Sequence, residues 1–293
     1  MLNPWLHRYT ILLAVCTLFL VVAGASVTSN QAGLSVPDWP LSYGKLMPEM
    51  RGGVFFEHGH RLVATTVGFL TIILSVWLWR ADPRRWMKKL GLWALAGVIV
   101  QGVLGGLTVI LLLPPAVSVA HACLAQLFFS ATVALALFTS KRWFSGPVYV
   151  KDMGWPSLRS MAIVAPVAVL AQIALGAAFR HGAMSVIPHL LGAVIVAMIL
   201  LMEGAFILHQ FPENPNLAPY AKAVLAMTFI QIFLGVGAFM ARMSSTAPAA
   251  EMLMTTVAHV AGGGLTLAFT ILLSIQIRRQ VLPHTADVPA VAA

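Results

Sequence analysis

Residues 187–208, IPHLLGAVIVAMILLMEGAFIL, decide the fold. This is an apolar run with a single histidine near its start. A helix needs about 20 such residues to cross ~30 Å of hydrocarbon. Seven more stretches of the same kind occur, at about 9–28, 58–79, 89–110, 117–139, 160–179, 220–240 and 253–276. All contain Gly or Ala and show little strand-like alternation, which predicts membrane helices rather than a barrel of ~10-residue alternating strands. The composition agrees. Of 293 residues, 59% are hydrophobic and 9% charged, against roughly 25% charged in a soluble domain. The mean hydropathy is +0.88. The fold class is therefore an all-α membrane protein with eight transmembrane helices embedded in the lipid bilayer.

The net charge of +9 suggests no nucleic acid, because no basic run is interleaved with aromatics. Instead, thirteen of the 18 Lys and Arg fall in the amino terminus, the segments 80–89, 140–159 and 209–222, and the carboxyl tail. The alternate loops hold only Lys45, Arg51, Arg180 and Arg242, and Arg61 opens the second span. By the positive-inside rule both termini are expected in the cytoplasm of a multi-pass cell-membrane protein. The first span ends in Ala23-Gly24-Ala25, which is similar to a signal-peptide cleavage site. The repeat described next nevertheless gives this span a partner. The two cysteines, Cys16 and Cys123, lie inside apolar runs and offer neither a disulfide framework nor a thiolate metal site.

The two halves resemble each other. Gln101-Gly-Val-Leu-Gly105 in span three matches Gln231-Ile-Phe-Leu-Gly235 in span seven, and Gln172-Ile-Ala-Leu-Gly176 in span five carries a similar pattern. Val119-Ala-His121 opens span four as Val257-Ala-His259 opens span eight, and His60 finds a counterpart in His189. The matches keep their order, which predicts two tandem, pseudo-symmetric four-helix bundles. Residues 1–150 form the first, with a long outer loop at 29–57; residues 151–280 form the second; 281–293 are expected to be a disordered tail.

Nine histidines are present. His7, His209 and His284 sit at cytoplasmic ends, His181 in a short outer loop, and His58 is expected only to face the interface. His60, His121, His189 and His259 open the even-numbered spans. Ionisable residues inside a span are costly and by default functional. Two per half is too few for zinc, which takes three or four tight protein ligands. Paired histidines on separate helices suit a haem, whose iron needs only axial ligands from the protein. Gly102, Gly105, Gly106, Gly192 and Gly262-Gly263-Gly264 leave room where a macrocycle could lie, or else serve helix packing. Arg61, Arg180 and Arg242 are candidates to meet haem propionates, which places the haem sites toward the outer face.

The halves also differ. Glu57-His58-Gly59-His60-Arg61 puts a carboxylate on the ligand's side of the helix, while Ser185-Val186-Ile187-Pro188-His189 has no acid. The first outer loop contains Gly33-Leu34-Ser35-Val36-Pro37-Asp38-Trp39-Pro40 and Tyr43-Gly44; its counterpart between spans five and six is far shorter. A long loop in a compact fold is often a lid or binding loop. The amino-terminal half is expected to transform something while the carboxyl-terminal half holds a permanent cofactor.

Glu-x-x-His-Arg at 57–61, the Gly-Leu-Ser and Asp-Trp elements of the first loop, and histidines opening spans four, six and eight resemble the haem A synthase family, over residues 9–276. The resemblance implies an oxidoreductase that converts the C8 methyl of haem O to a formyl group through an alcohol, giving haem A for cytochrome oxidases. It implies that His60 and His121 bracket the substrate, and that His189 and His259 ligate a resident haem b as axial ligands. Glu57 matches the family's essential acid, acting electrostatically or on protons. Some bacterial members carry a cysteine pair in the first loop; Val36 or Ser35, and Ser42, stand there in this chain, which leaves the electron donor unidentified. A complex with the haem O synthase follows from the family rather than from these residues. Two rivals stay open: a di-haem b-type electron-transfer cytochrome, and a haem transporter or chaperone.

Overall fold

A computed structural model describes residues 2–152, 154–244 and 249–283. The chain runs α1 (Pro4–Ser29), α2 (Gly53–Ala81), α3 (Arg85–Ile110), α4 (Pro115–Thr139), the single turn α5 (Lys141–Phe144), β1 (Val150–Lys151), α6 (Leu158–Arg180), α7 (Ile187–Gln210), α8 (Ala218–Met243), α9 (Ala249–Gln280) and β2 (Val281–Leu282). Eight of these helices are long and apolar enough to cross a membrane, as expected.

Local chemistry sets the helix ends. Asn3 caps α1 by accepting from the Trp5 and Leu6 amides, with Pro4 at the first helical position, where its missing N–H costs nothing. Gly52 precedes α2 at φ 54° and ψ −130°, a conformation that a side chain would oppose. That turn lets α2 begin at Gly53, several residues earlier than hydropathy indicates, so Glu57 lies inside the helix rather than in the loop. The outer loop is correspondingly 30–52.

α1 packs on α2 and α4, and α3 joins α2 to α4; α6 packs on α7 and α9, and α8 joins α7 to α9. The helix α9 also lies against α1 and α4, and α4 touches α6. Within lipid, such contacts rest on close packing and interhelical hydrogen bonds more than on the hydrophobic effect. Ser75 Oγ on α2, for instance, donates to the Gly91 carbonyl on α3 at 2.7 Å, and Gly91 is the residue that lets the helices approach: a Cβ there would lie 3.0 Å from Leu78 Cδ1. One apolar core fills the α1–α4 group around Leu13, Leu74, Leu78 and Leu135. Another fills the α6–α9 group around Leu200, Leu267, Leu273 and Ile277. Val21, Phe129 and Ala268 pack between the two groups.

At the end remote from the four histidines, β1 pairs in parallel with β2. Arg159 donates to the Val281 carbonyl at 2.7 Å, and the Arg279 guanidinium stacks 3.8 Å from the Trp143 ring centre. This corrects the expectation of a disordered tail from 281: Val281 is buried and ladder-bonded, because strand pairing satisfies its backbone. Residues 284–293, with His284, lie outside the described residues.

Candidate functional site

Four histidine seats organise the end of the molecule that carries the long loop. Each of the ligand helices α2, α4, α7 and α9 presses its imidazole onto a glycine of the preceding span. A Cβ on Gly24 would lie 2.9 Å from His60 Cε1; on Gly105, 3.2 Å from His121 Cε1; on Gly176, 2.8 Å from His189 Cε1; on Gly235, 2.9 Å from His259 Cε1. Three seats carry a second device one turn away. Gln101 Nε2 donates to the His121 carbonyl at 3.0 Å, Gln172 Nε2 to that of His189 at 2.7 Å, and Gln231 Nε2 to that of His259 at 3.0 Å. The repeated Gln-x-x-x-Gly pattern is thus a histidine seat.

The glycines read from sequence as room for a macrocycle are largely filled by the protein itself. Gly105 receives His121, and Gly106 receives the Trp39 ring, whose Cδ2 a Cβ would approach to 2.6 Å. Gly192, Gly262 and Gly264 receive the side-chain oxygens of Gln172, Gln231 and Gln126, while Gly102 faces nothing within 4 Å.

His189 and His259 face one another with ring centres 6.1 Å apart and planes crossed at 85°. Two imidazoles on opposite sides of one metal ion, each with a nitrogen about 2 Å from it, have centres roughly 6 Å apart. His189 Nδ1 lies 3.0 Å from Gln172 Nε2 and 3.2 Å from the Gln172 carbonyl; both contacts fall on one ring nitrogen and leave Nε2 for a metal. Among the described residues no group of three or more His, Cys, Asp or Glu converges, so the donor set suits an iron whose remaining ligands come from a porphyrin. His60 lies within electrostatic reach of His121.

The loop 30–52 is folded over the His60–His121 side. Glu57 is buried; its Oε2 accepts from the Val36 amide at 2.8 Å and its Oε1 from Arg61 Nη2 at 2.6 Å. Arg61 Nη1 donates to the Asp38 and Leu41 carbonyls at 2.7 and 2.8 Å. Arg61, a candidate to meet propionates, here ties Glu57 to the loop backbone. Asp38 accepts from the Tyr43 and Gly44 amides, and these bonds, that from Gly44 first, hold its carboxyl below the ordinary range of 3.8.

His58 is buried rather than interfacial, with Nδ1 2.8 Å from Ser42 Oγ. Ser42 is therefore a polar tie between loop and helix. Sequence reasoning missed this tie and the Gly24 seat, for nothing in an isolated Ser or Gly marks it.

Arg180 donates to the Ala25 carbonyl at 2.7 Å and to Ser29 Oγ at 2.6 Å, bracing the end of α6 on the end of α1. Arg242 stacks on Phe179 with Cζ 4.8 Å from the ring centre. Beside Arg180, His181 is held below its ordinary range by burial and then by the Arg180 charge.

A family model described as cytochrome oxidase assembly protein matches residues 7–186. That stretch contains Glu57, His60 and His121 and ends before His189. The Heme A synthase of Symbiobacterium thermophilum is 28% identical over 245 residues, covering 74% of this chain and 80% of the relative. That of Alkalihalophilus pseudofirmus is 29% identical over 135 residues, 45% of this chain and 46% of the relative. That of Shewanella oneidensis is 28% identical over 190 residues, 59% and 55% of the two chains. In the last two cases the chain spans about half the length of the relative it matches.

Proposed function

Since the chain belongs to the haem A synthase family of cytochrome oxidase assembly proteins, we propose that it oxidises the C8 methyl of haem O to a formyl group. The product is haem A. In net terms the methyl carbon gains one oxygen and loses two hydrogens, a four-electron oxidation whose oxidant comes from outside the chain, by way of an alcohol and a geminal diol that expels water. The α1–α4 half, residues 1–150, binds haem O as substrate between His60 and His121. The α6–α9 half, residues 151–280, holds a b-type haem between His189 and His259. Bound there, that haem supplies one-electron transfer.

One observation carries this reading: the molecule repeats the same glycine-seated histidine pair, yet among the described residues only one pair is roofed by a folded loop. A pure electron carrier has no use for that asymmetry. We read the loop as the cover of a substrate entrance, and the spacing of His189 and His259 supports a resident ligand pair in the second half.

Glu57 stands one turn from His60, and both its oxygens have fixed partners. It therefore serves as a fixed negative charge near positive charge developing at the methyl carbon, rather than as a mobile proton carrier. The Lys and Arg distribution supports an orientation with both termini cytoplasmic and the histidine seats toward the outer face.

The test is extraction of haem from the purified protein, with identification by mass. Haem B together with haem O, its alcohol or haem A is the expected result. Haem B alone, at two per chain when the expressing cell makes haem O, would overturn the synthase in favour of a di-haem electron carrier.

A further inference from the structure

At the end remote from the histidine seats, a groove of about 560 Å³ opens between the two halves. One wall comes from the first half: Trp86 on α3, Phe138 on α4 and Trp143 on α5. The other is the strip of α9 that carries Ile271, Ile275 and Arg278. Most of α9 from Gly262 to Gln280 is buried, whereas Ile271 and Ile275 are half-buried and Arg278 is exposed. The aromatic wall is fixed by the protein's own contacts. Phe138 meets Trp143 edge-on with ring centres 4.7 Å apart, and meets Trp86 at 5.0 Å with planes crossed at 89°. Arg279 ties that wall to α9: its Nη2 donates to the Trp143 carbonyl at 2.8 Å, and its guanidinium covers the Trp143 ring.

The mouth of this groove is cationic, and no acid of the protein balances it. The ion pairs among the described residues are Glu49 with Arg51, Glu57 with Arg61 and Asp82 with Arg84. Asp82 lies at the same end of the molecule but gives both its oxygens to Arg84, whose guanidinium rests on Trp86. Arg279 is taken by Trp143, while Arg278 has no hydrogen-bond or ion-pair partner among the described residues. Apolar sides with an unneutralised cation at the mouth suit an amphiphile with an anionic head, and basic pockets between membrane helices are a recurring seat of acidic lipids. We infer that one acidic phospholipid occupies the groove, with its phosphate on Arg278 and an acyl chain along Ile271 and Ile275 against the aromatic wall. Seated there, the lipid touches α3, α4 and α5 of one half and α9 of the other, and fills the seam between them.

The test uses the full chain, purified in detergent with its haem and mixed with equal amounts of phosphatidylglycerol and phosphatidylcholine of the same acyl length. Lipid that stays bound is counted by native mass spectrometry. The parent is expected to retain one phosphatidylglycerol per chain and to prefer it over phosphatidylcholine by about fivefold or more, the worth of one arginine beside an anionic head group. Arg278→Gln is expected to lose that preference with haem content unchanged. Arg80→Gln, which removes an exposed cation at the end of α2 outside the groove, is expected to bind as the parent does. Ile275→Trp, which fills the groove, is expected to lose the lipid whatever its head group.

Equal retention of the two lipids by the parent overturns the inference, because the groove would then shelter any chain. So does an undiminished preference in Arg278→Gln, or its loss in Arg80→Gln, since the attraction would then belong to the basic surface as a whole. Phosphatidylglycerol that stays on Ile275→Trp places the lipid elsewhere and overturns it too. Displacement of the bound mass by glycerol 3-phosphate would assign the site to a soluble phosphate compound, and a lipid-free dimer would give the groove to a second copy of the chain; either result overturns it.

Discussion

At the scale of single residues, the histidine seats make glycine a part of the ligand chemistry. Gly176 and Gly235 have no room for a methyl group: a Cβ would sit 2.8 and 2.9 Å from the facing Cε1 atoms. Overpacking of this kind costs about 1–3 kcal/mol, and the imidazole is what must move. Gly176→Ala and Gly235→Ala are therefore expected to lower bound haem B to less than half of the parent's content, measured in the purified protein. Gly68→Ala, where nothing lies within 4 Å, is the control and is expected to leave haem content unchanged. Glu57→Ala removes a buried partner of Arg61 and is expected to cut haem A formation by about 100-fold or more while haem remains bound. Production at the parent's rate would remove Glu57 from the mechanism. The four histidines and Glu57 were legible in the sequence because charge and imidazole are rare in apolar spans. The partners of Arg61 were not legible for a physical reason: an arginine at a helix start satisfies any nearby acceptor, and besides Glu57 it meets carbonyls of a loop twenty or more residues away in the chain.

At the scale of elements, the loop 30–52 shows how far hydropathy reaches. Spans can be counted from it, but their ends cannot be fixed, because a first turn such as 53–57 sets Gly53 and Glu57 on either side of Val54, Phe55 and Phe56 and reads as neither span nor loop. The loop's own shape depends on pairings that have no periodic signature: Ser42 with His58, Tyr43 with the Ser35 carbonyl, Asp38 with the Tyr43 and Gly44 amides. Asp38 carries a pH dependence. Its carboxyl is held below 3.8 in the folded loop, so its contribution is fully present above that value and is lost as pH falls through the lower, folded one. Proteolysis within 30–52 is accordingly expected to stay slow down to about pH 4 and to rise in stronger acid. Asp38→Asn is expected to be cut several-fold faster at neutral pH. Equal cleavage of parent and variant at neutral pH would mean that the Asp38 bonds do not hold the loop. Trp39→Ala, which withdraws the ring lying on Gly106, is expected to accelerate entry and loss of haem O without affecting haem B.

At the scale of the whole molecule, the two halves are expected to lose their haems separately. His189→Ala should remove about one haem per chain, the b-type, and leave the substrate haem in place, because His60 and His121 belong to other helices. Loss of both on this one substitution would refute the division of labour between the halves. Yet the division is not a separation. The helix α9 carries His259 and also forms a wall against α1 and α4, with Gly264 pressed on the Gln126 side chain of α4. The internal resemblance of the halves was readable from Gln-x-x-x-Gly and Val-Ala-His; the sharing of α9 was not, since any apolar helix can face either lipid or protein. This sharing bears on biosynthesis. A ribosome delivers α9 after all the other helices, so α1 to α4 must wait in the bilayer, with one flank against lipid, until translation of the second half is nearly done. A chain cut short before α9 is accordingly expected to yield no half-active product.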